Sequence, residues 1–198
     1  MAVASRYDPV ADFYVAGWPD EYDDPASVAL LSILGPVAGL SVLDVACGHG
    51  RFTRESARRG AESVVGLDIS ARLIESARAI EEQTPLGISY VLDDIATSHQ
   101  FADDSFARVV CGFGLSDVDE LEPSLANVAR MLAPGGRFAF SILHPCFTGT
   151  DDVSGAWPSD GRYHDELLWY ADSASSTLRR QVGAHHRTLS TYVNVLIG

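Results

Sequence analysis

Between residues 41 and 143 the chain alternates short apolar runs with longer stretches that carry a helical apolar stripe, joined by short connections. "SVLDVA" reads as a buried strand and "RFTRESARRG" as the helix that follows it. Arg58 and Arg59 suit the negative end of that helix, and Gly60 can close it in a left-handed turn. "SVVGLDI" is a second strand; Ser70 is placed to N-cap the next helix, whose Leu73, Ile74 and Ala77 share one face. "ISYVL" and "FARVVCGF" read as a third and fourth strand. "ELEPSLANVARML" reads as a helix with Leu121, Leu125, Val128 and Leu132 on one side, "APGG" as a turn and "RFAFSIL" as a fifth strand. Parallel strands need crossovers, and helical crossovers cover the sheet. The expected fold is therefore α/β, a parallel sheet flanked by helices on both faces.

The 198 residues fit one domain. A chain of that length buries about 70% of the surface that its unfolded form exposes, so it needs no staples. Residues 1–40 are expected to form helices before the first strand and residues 144–182 an irregular insertion. "RTLSTYVNVLI" is expected to be a last helix within 183–198. An irregular stretch as long as 144–182 is usually functional or disordered. The net charge of −13 repels phosphate backbones and anionic membranes, so a small neutral or cationic ligand is the expected partner, not nucleic acid. The cysteines, Cys47, Cys111 and Cys146, are odd in number and far apart. They suggest neither a disulfide framework nor a metal site, and a reducing, cytoplasmic setting is expected. The first residues have no apolar run of signal-peptide type, and no stretch is long and apolar enough to span a bilayer.

In an open α/β sheet, ligands bind beyond the carboxyl ends of the strands, and "ACGHG" sits at the end of the first one. Glycines there let a ligand touch backbone, and the next helix offers free N–H groups. A dinucleotide would want a third small residue after Gly48 and Gly50, but Thr53 occupies that slot, and Asp44 on the strand would repel a pyrophosphate. A cationic ligand end explains Asp44. Asp68, ending the second strand, can accept from both hydroxyls of a ribose. Asp94, ending the third, can accept from an exocyclic amine, and the Ile95 N–H can donate to a ring nitrogen. Amino acid, ribose and adenine in that order describe S-adenosylmethionine.

"VLDVACGHGRFT", "VVGLDIS", "YVLDDIA", "DSFARVVCGF" and "ARMLAPGGRFAFSI" together resemble the successive motifs of the Rossmann-like (class I) S-adenosylmethionine-dependent methyltransferases. "HPCF" and "HHRTLSTYVNVL" resemble a bacterial subgroup acting on small molecules, often in secondary metabolism. The resemblance implies methyl transfer to a small acceptor. It implies a cofactor site of Tyr7, Asp44, Ala46, Gly48, His49, Asp68, Ile69, Asp94, Ile95 and Cys111, and no metal. His49 departs from the family, which has a small residue or threonine there, so a local role is expected for it. Ala107 departs where an acid often begins the fourth strand. The family's sheet normally ends with two further strands, which this chain is expected to lack. The exposed edge of the fifth strand is then expected to be covered either by those strands in a longer natural chain or by a second copy, as a homo-oligomer.

The acceptor pocket is expected to be largely apolar, roofed by Tyr14 and Trp18 from an N-terminal lid, with His144 at its floor. His144 and then His186 are the candidates for a catalytic base, if the acceptor must lose a proton. A hydrogen-bonded structural role for His144 stays equally open. Cys47 and Cys111 have no evident activating neighbour and also read as buried small hydrophobes. Two other functions remain: binding of S-adenosylmethionine without methylation, and an NAD-type oxidoreductase. The latter is disfavoured by Asp44, Thr53 and the lack of a Tyr-x-x-x-Lys pair.

Overall fold

The computed structural model describes residues 5–20, 22–145, 163–171 and 177–197. Cys146, Trp157 and the acid pair Asp151–Asp152 lie outside the described residues. Five strands, β1 (Ser41–Val45), β2 (Ser63–Asp68), β3 (Ser89–Leu92), β4 (Phe106–Gly112) and β5 (Leu132–Ser141), form one sheet in the order β3-β2-β1-β4-β5. Every pairing in it is parallel. The chain first winds one way from β1 and then returns to the other side, so the carboxyl ends of β1 and β4 flank the point where the winding reverses.

The helices before and between the strands are α1 (Ala11–Gly17), α2 (Pro25–Leu34), α3 (Arg51–Arg58), α4 (Ala71–Gln83) and α5 (Leu121–Met131). Their ends follow from local chemistry. Asp24 caps α2 by accepting from the Ser27 N–H, with Pro25 at the first position, and Ser70 caps α4 by accepting from the Leu73 N–H. Alternate strand residues feed two cores. Leu43, Val45 and Val109 pack with Leu121, Leu125 and Val128 of α5. Val42, Val64 and Val110 pack with Leu30 and Leu34 of α2 and Ile74 and Ala77 of α4. The doubly covered sheet expected from the sequence is thus present.

Two details differ from expectation. "APGG" lies within β5 and is not a separate turn. Phe106 pairs with Leu132 and Arg108 with Arg137, so the register shifts and the intervening residues bulge, with Gly135 at φ 74°. Beyond β5 the described chain is more regular than its composition suggests. β6 (Leu167–Trp169) pairs antiparallel with β7 (Ala184–His186), α6 (Thr177–Val182) lies between them in sequence, and α7 (Leu189–Ile197) follows. Both strands are three residues long, too short for periodicity to reveal. Among the described residues no helix is long and apolar enough to cross a membrane.

Candidate functional site

The carboxyl ends of the central strands open into a cavity of about 410 Å³ at the reversal point. β1 and β4 approach each other closely there. Ala46 and Phe113, which end them, adopt left-handed backbones with φ 54° and 62°, and a Cβ on Gly114 would lie 2.4 Å from the Ala46 methyl. Such conformations cost about 1–3 kcal/mol each and gather at ligand sites, where the surroundings enforce them.

Asp44 is 1% exposed. One carboxylate oxygen accepts from the Thr53 hydroxyl at 2.6 Å, while Oδ1 has no partner among the described residues. Burial pushes this carboxyl up to about 7; the Thr53 bond opposes the rise and the nearby Asp68 charge adds to it. A buried acid with an unused oxygen at a cavity wall is complementary to a cationic head group. Thr53, which spoils the dinucleotide pattern, is thereby the group that orients Asp44.

Asp68 accepts from the Gly48 N–H and from the Ser70 N–H, both at 2.8 Å. Burial raises it to about 6 against the pull of these bonds. It therefore also ties the glycine turn to β2, while each oxygen keeps a lone pair for a ligand hydroxyl. Gly48 has φ 58°, and a Cβ there would stand 3.2 Å from the Tyr14 ring, so the turn is bare backbone beneath an aromatic. Past β3, Asp94 folds back to accept from the Ala96 N–H at 2.9 Å. Asn127 of α5 donates to the carbonyls of Ile95 at 2.9 Å and Ala96 at 3.1 Å, fixing that turn.

His49 holds the Trp18 carbonyl through Nε2 at 2.9 Å and stands edge-on to Tyr14. A carbonyl accepts, so Nε2 carries the proton. Burial, then the Arg54 charge, lowers this imidazole to about 4 and keeps it neutral. The histidine at this position thus fastens the end of α1 to the glycine turn. Below it, buried Arg54 donates to the His49 carbonyl and grips Asp20 with two nitrogens, and Arg58 reaches Asp20 at 3.0 Å.

Tyr7, Asp44, Ala46, Gly48, His49, Asp68, Ile69, Asp94 and Ile95 all line the cavity, as do Tyr14 and Trp18. Cys111 does not: it is fully buried in the core, its sulfur packed beneath Gly114. Burial pushes its thiol well up, as it does that of Cys47, which lines the cavity. The placement of His144 at the floor is also corrected. His144 is exposed, and with His186 it borders a separate small hollow next to Trp169 and Tyr192. β5 ends at Ser141 and Leu143 takes the wall position; His186 is held by the Tyr163 carbonyl at 2.8 Å.

The sequence reading missed the loop after β4 and its partners. Asp117 accepts from the Tyr7 hydroxyl at 2.9 Å and pairs with Arg179 of α6; Asp119 pairs with Arg6 and with His185 at 2.8 Å. Buried Arg187 donates to the carbonyls of Leu115, Val118 and Asp119 at 2.7–3.0 Å, turning the loop's side chains toward the cavity. Tyr7, Asp117 and Arg179 are far apart in the chain, and no local pattern links them.

Residues 42–136 match a family described as a methyltransferase domain. The chain is 32% identical over 154 residues to a demethylmenaquinone methyltransferase of Renibacterium salmoninarum, covering 73% of this chain and 60% of the relative. It is 30% identical over 164 residues to a ubiquinone biosynthesis O-methyltransferase of Coxiella burnetii, covering 76% and 69%. A solved S-adenosylmethionine-dependent methyltransferase of Mesorhizobium loti superposes with a TM-score of 0.72 at 34% identity, over 89% of this chain and 81% of that one. The chain thus spans under two thirds of the Renibacterium relative's length.

Proposed function

The chain belongs to the S-adenosylmethionine-dependent methyltransferases, and from that premise we propose that it methylates a small, largely apolar acceptor held against the loop after β4. The observation that carries the proposal is the buried, unpartnered oxygen of Asp44 beside a glycine turn and two further strand-end acids.

The residues fit the cofactor. Asp44 would take its ammonium, the bare turn at Gly48 its chain, Asp68 its ribose hydroxyls, and Asp94 with the Ile95 N–H its adenine. When bound, S-adenosylmethionine supplies a methyl group already activated on a sulfonium. The protein's task is then to hold the acceptor in line and keep water out. Trp18, Tyr14, Phe113, Val118, Leu143 and Leu178 give the wall an apolar character suited to a flat acceptor. Asp117 and Asp119 are both paired with arginines, so they add little net charge to this side. His49 is the histidine that lines the cavity, and it is neutral and bonded to Trp18. Orientation, rather than a histidine base, would carry the catalysis. Two curated relatives act in quinone biosynthesis by name, which favours ring hydroxyls or ring carbons in the first acceptor panel.

Isothermal titration with S-adenosylmethionine, S-adenosylhomocysteine and NAD tests the cofactor, with binding of the first two expected. NAD binding alone would refute the proposal. Release of S-adenosylhomocysteine with hydroxylated aromatic acceptors tests the reaction; tight binding without turnover across the panel would favour a non-methylating role.

A further inference from the structure

Three consecutive residues near the start of the described chain join opposite walls of the cavity. Arg6 pairs with Asp119 and donates to the Asp117 carbonyl at 2.6 Å, and Tyr7 donates to the Asp117 carboxylate. All three contacts reach the loop after β4. Asp8 points the other way and accepts from the Ser70 hydroxyl at 2.6 Å and the Arg72 N–H at 3.2 Å. Those groups open α4, immediately past Asp68 at the end of β2. β2 and β4 lie on either side of β1, so residues 6–8 cross over the carboxyl end of β1, where the Ala46–Gly48 turn lies. Tyr7 meets Tyr14 edge to face at 5.4 Å, and Tyr14 covers Gly48.

We propose that Arg6 and Asp8 are positioning residues of the cofactor site: they anchor the two ends of a strap that holds Tyr7 and Tyr14 over the glycine turn. Asp8 does not line the cavity, so it acts on a ligand only through the strap. The cofactor leaves when either anchor lets go. This rests on the reading of the cavity as an S-adenosylmethionine site.

The geometry separates one shared device from independent contacts. If the strap is a single closure, freeing one end opens it, and freeing the second adds nothing; independent contacts would multiply. The experiment measures dissociation of S-adenosylhomocysteine by stopped flow for wild type, Asp8→Ala, Arg6→Gln/Tyr7→Phe and the triple variant. Loss of a charge-assisted anchor should speed release about 10-fold in Asp8→Ala. Asp8→Asn, which keeps the oxygen acceptor without its charge, should release more slowly than Asp8→Ala and lie nearer to wild type. The triple variant should be no faster than the faster of its two parents. In the ligand-free protein, amide exchange over residues 7–18 should quicken in Asp8→Ala while that of β1 and β4 holds.

Wild-type release from Asp8→Ala, or a triple variant whose effect is the product of the two, overturns the strap while leaving the cofactor reading intact. A wild-type protein that binds neither S-adenosylmethionine nor S-adenosylhomocysteine overturns both.

Discussion

Asp44 titrates in the range where an enzyme works. Its folded carboxyl holds a proton up to about 7, whereas an unfolded aspartate releases it near 4. Between those values the unfolded chain binds fewer protons, so the group's contribution to stability is full below about pH 4 and falls as pH rises toward 7. His49 works in the opposite sense: its folded value of about 4 lies below the ordinary imidazole range, so its contribution falls as pH drops from about 6.5 toward 4. Comparison with Asp44→Asn isolates the first effect: the ligand-free variant should gain more melting temperature over wild type at pH 7.5 than at pH 5, and none below about pH 4. Ammonium binding needs the ionised carboxylate, so wild-type affinity for S-adenosylmethionine should weaken about tenfold per unit as pH falls below about 7. The Asn variant should bind weakly at every pH; calorimetry from pH 5.5 to 8 reads both. Asp68→Ala should weaken binding by about 1–3 kcal/mol, since it would remove the proposed ribose acceptor. Asp94→Ala should cost less, because the Ile95 backbone remains. Wild-type affinity in Asp68→Ala would end the ribose assignment.

The elements around the cavity are held by groups that cannot be exchanged cheaply. Gly50 precedes α3 at φ 90°, and a Cβ there would lie 2.4 Å from the Tyr90 hydroxyl. Gly50→Ala should therefore lose about 1–3 kcal/mol by denaturant titration, through backbone strain and the displaced tyrosine. Arg187 is the corresponding fixture for the loop after β4. Arg187→Met would leave three carbonyls without their donor, at a cost of about 1–3 kcal/mol for each one that stays buried. Beyond the lowered melting temperature, the acceptor KM should rise more than the cofactor Kd, because the loop lines the proposed acceptor side while Asp44 and Asp68 stand on other strands. An equal loss in both would reduce Arg187 to a fold-stabilising role.

On the scale of the whole molecule, segments from both ends of the described chain line the cavity, with Tyr7, Tyr14 and Trp18 from one and Leu178 and Arg179 from the other. Hydrogen exchange should show residues 5–20 and 163–197 slowing on cofactor binding while β1 and β4 stay unchanged. Equal protection before and after would remove the closing role. β5 pairs with β4 on one side, and no described strand pairs with its other. Among the described residues this parallel edge, with Phe138 and Phe140 stacked in β5, has no partner strand, so a second copy is expected to cover it wherever no further strand of the natural chain does. Light scattering over a range of concentrations should show the mass doubling; a constant monomer mass would refute this.

The sequence by itself determined the sheet, because strand and helix periods are local and their strict alternation admits few connections. It also located Asp44, Gly48, Asp68 and Asp94, since parallel strands bring their carboxyl ends to one edge and fixed offsets along the chain become neighbours in space. Only the tertiary structure decided which remote segments line the rest of the cavity. The contacts of Asp117 with Tyr7 and Arg179 join three remote segments through side chains with no shared period. It also moved His144 away from the expected floor, because the turn that follows a strand is set by what packs against it. The three-residue strands β6 and β7 hold their shape by pairing with each other, so neither segment could announce itself alone.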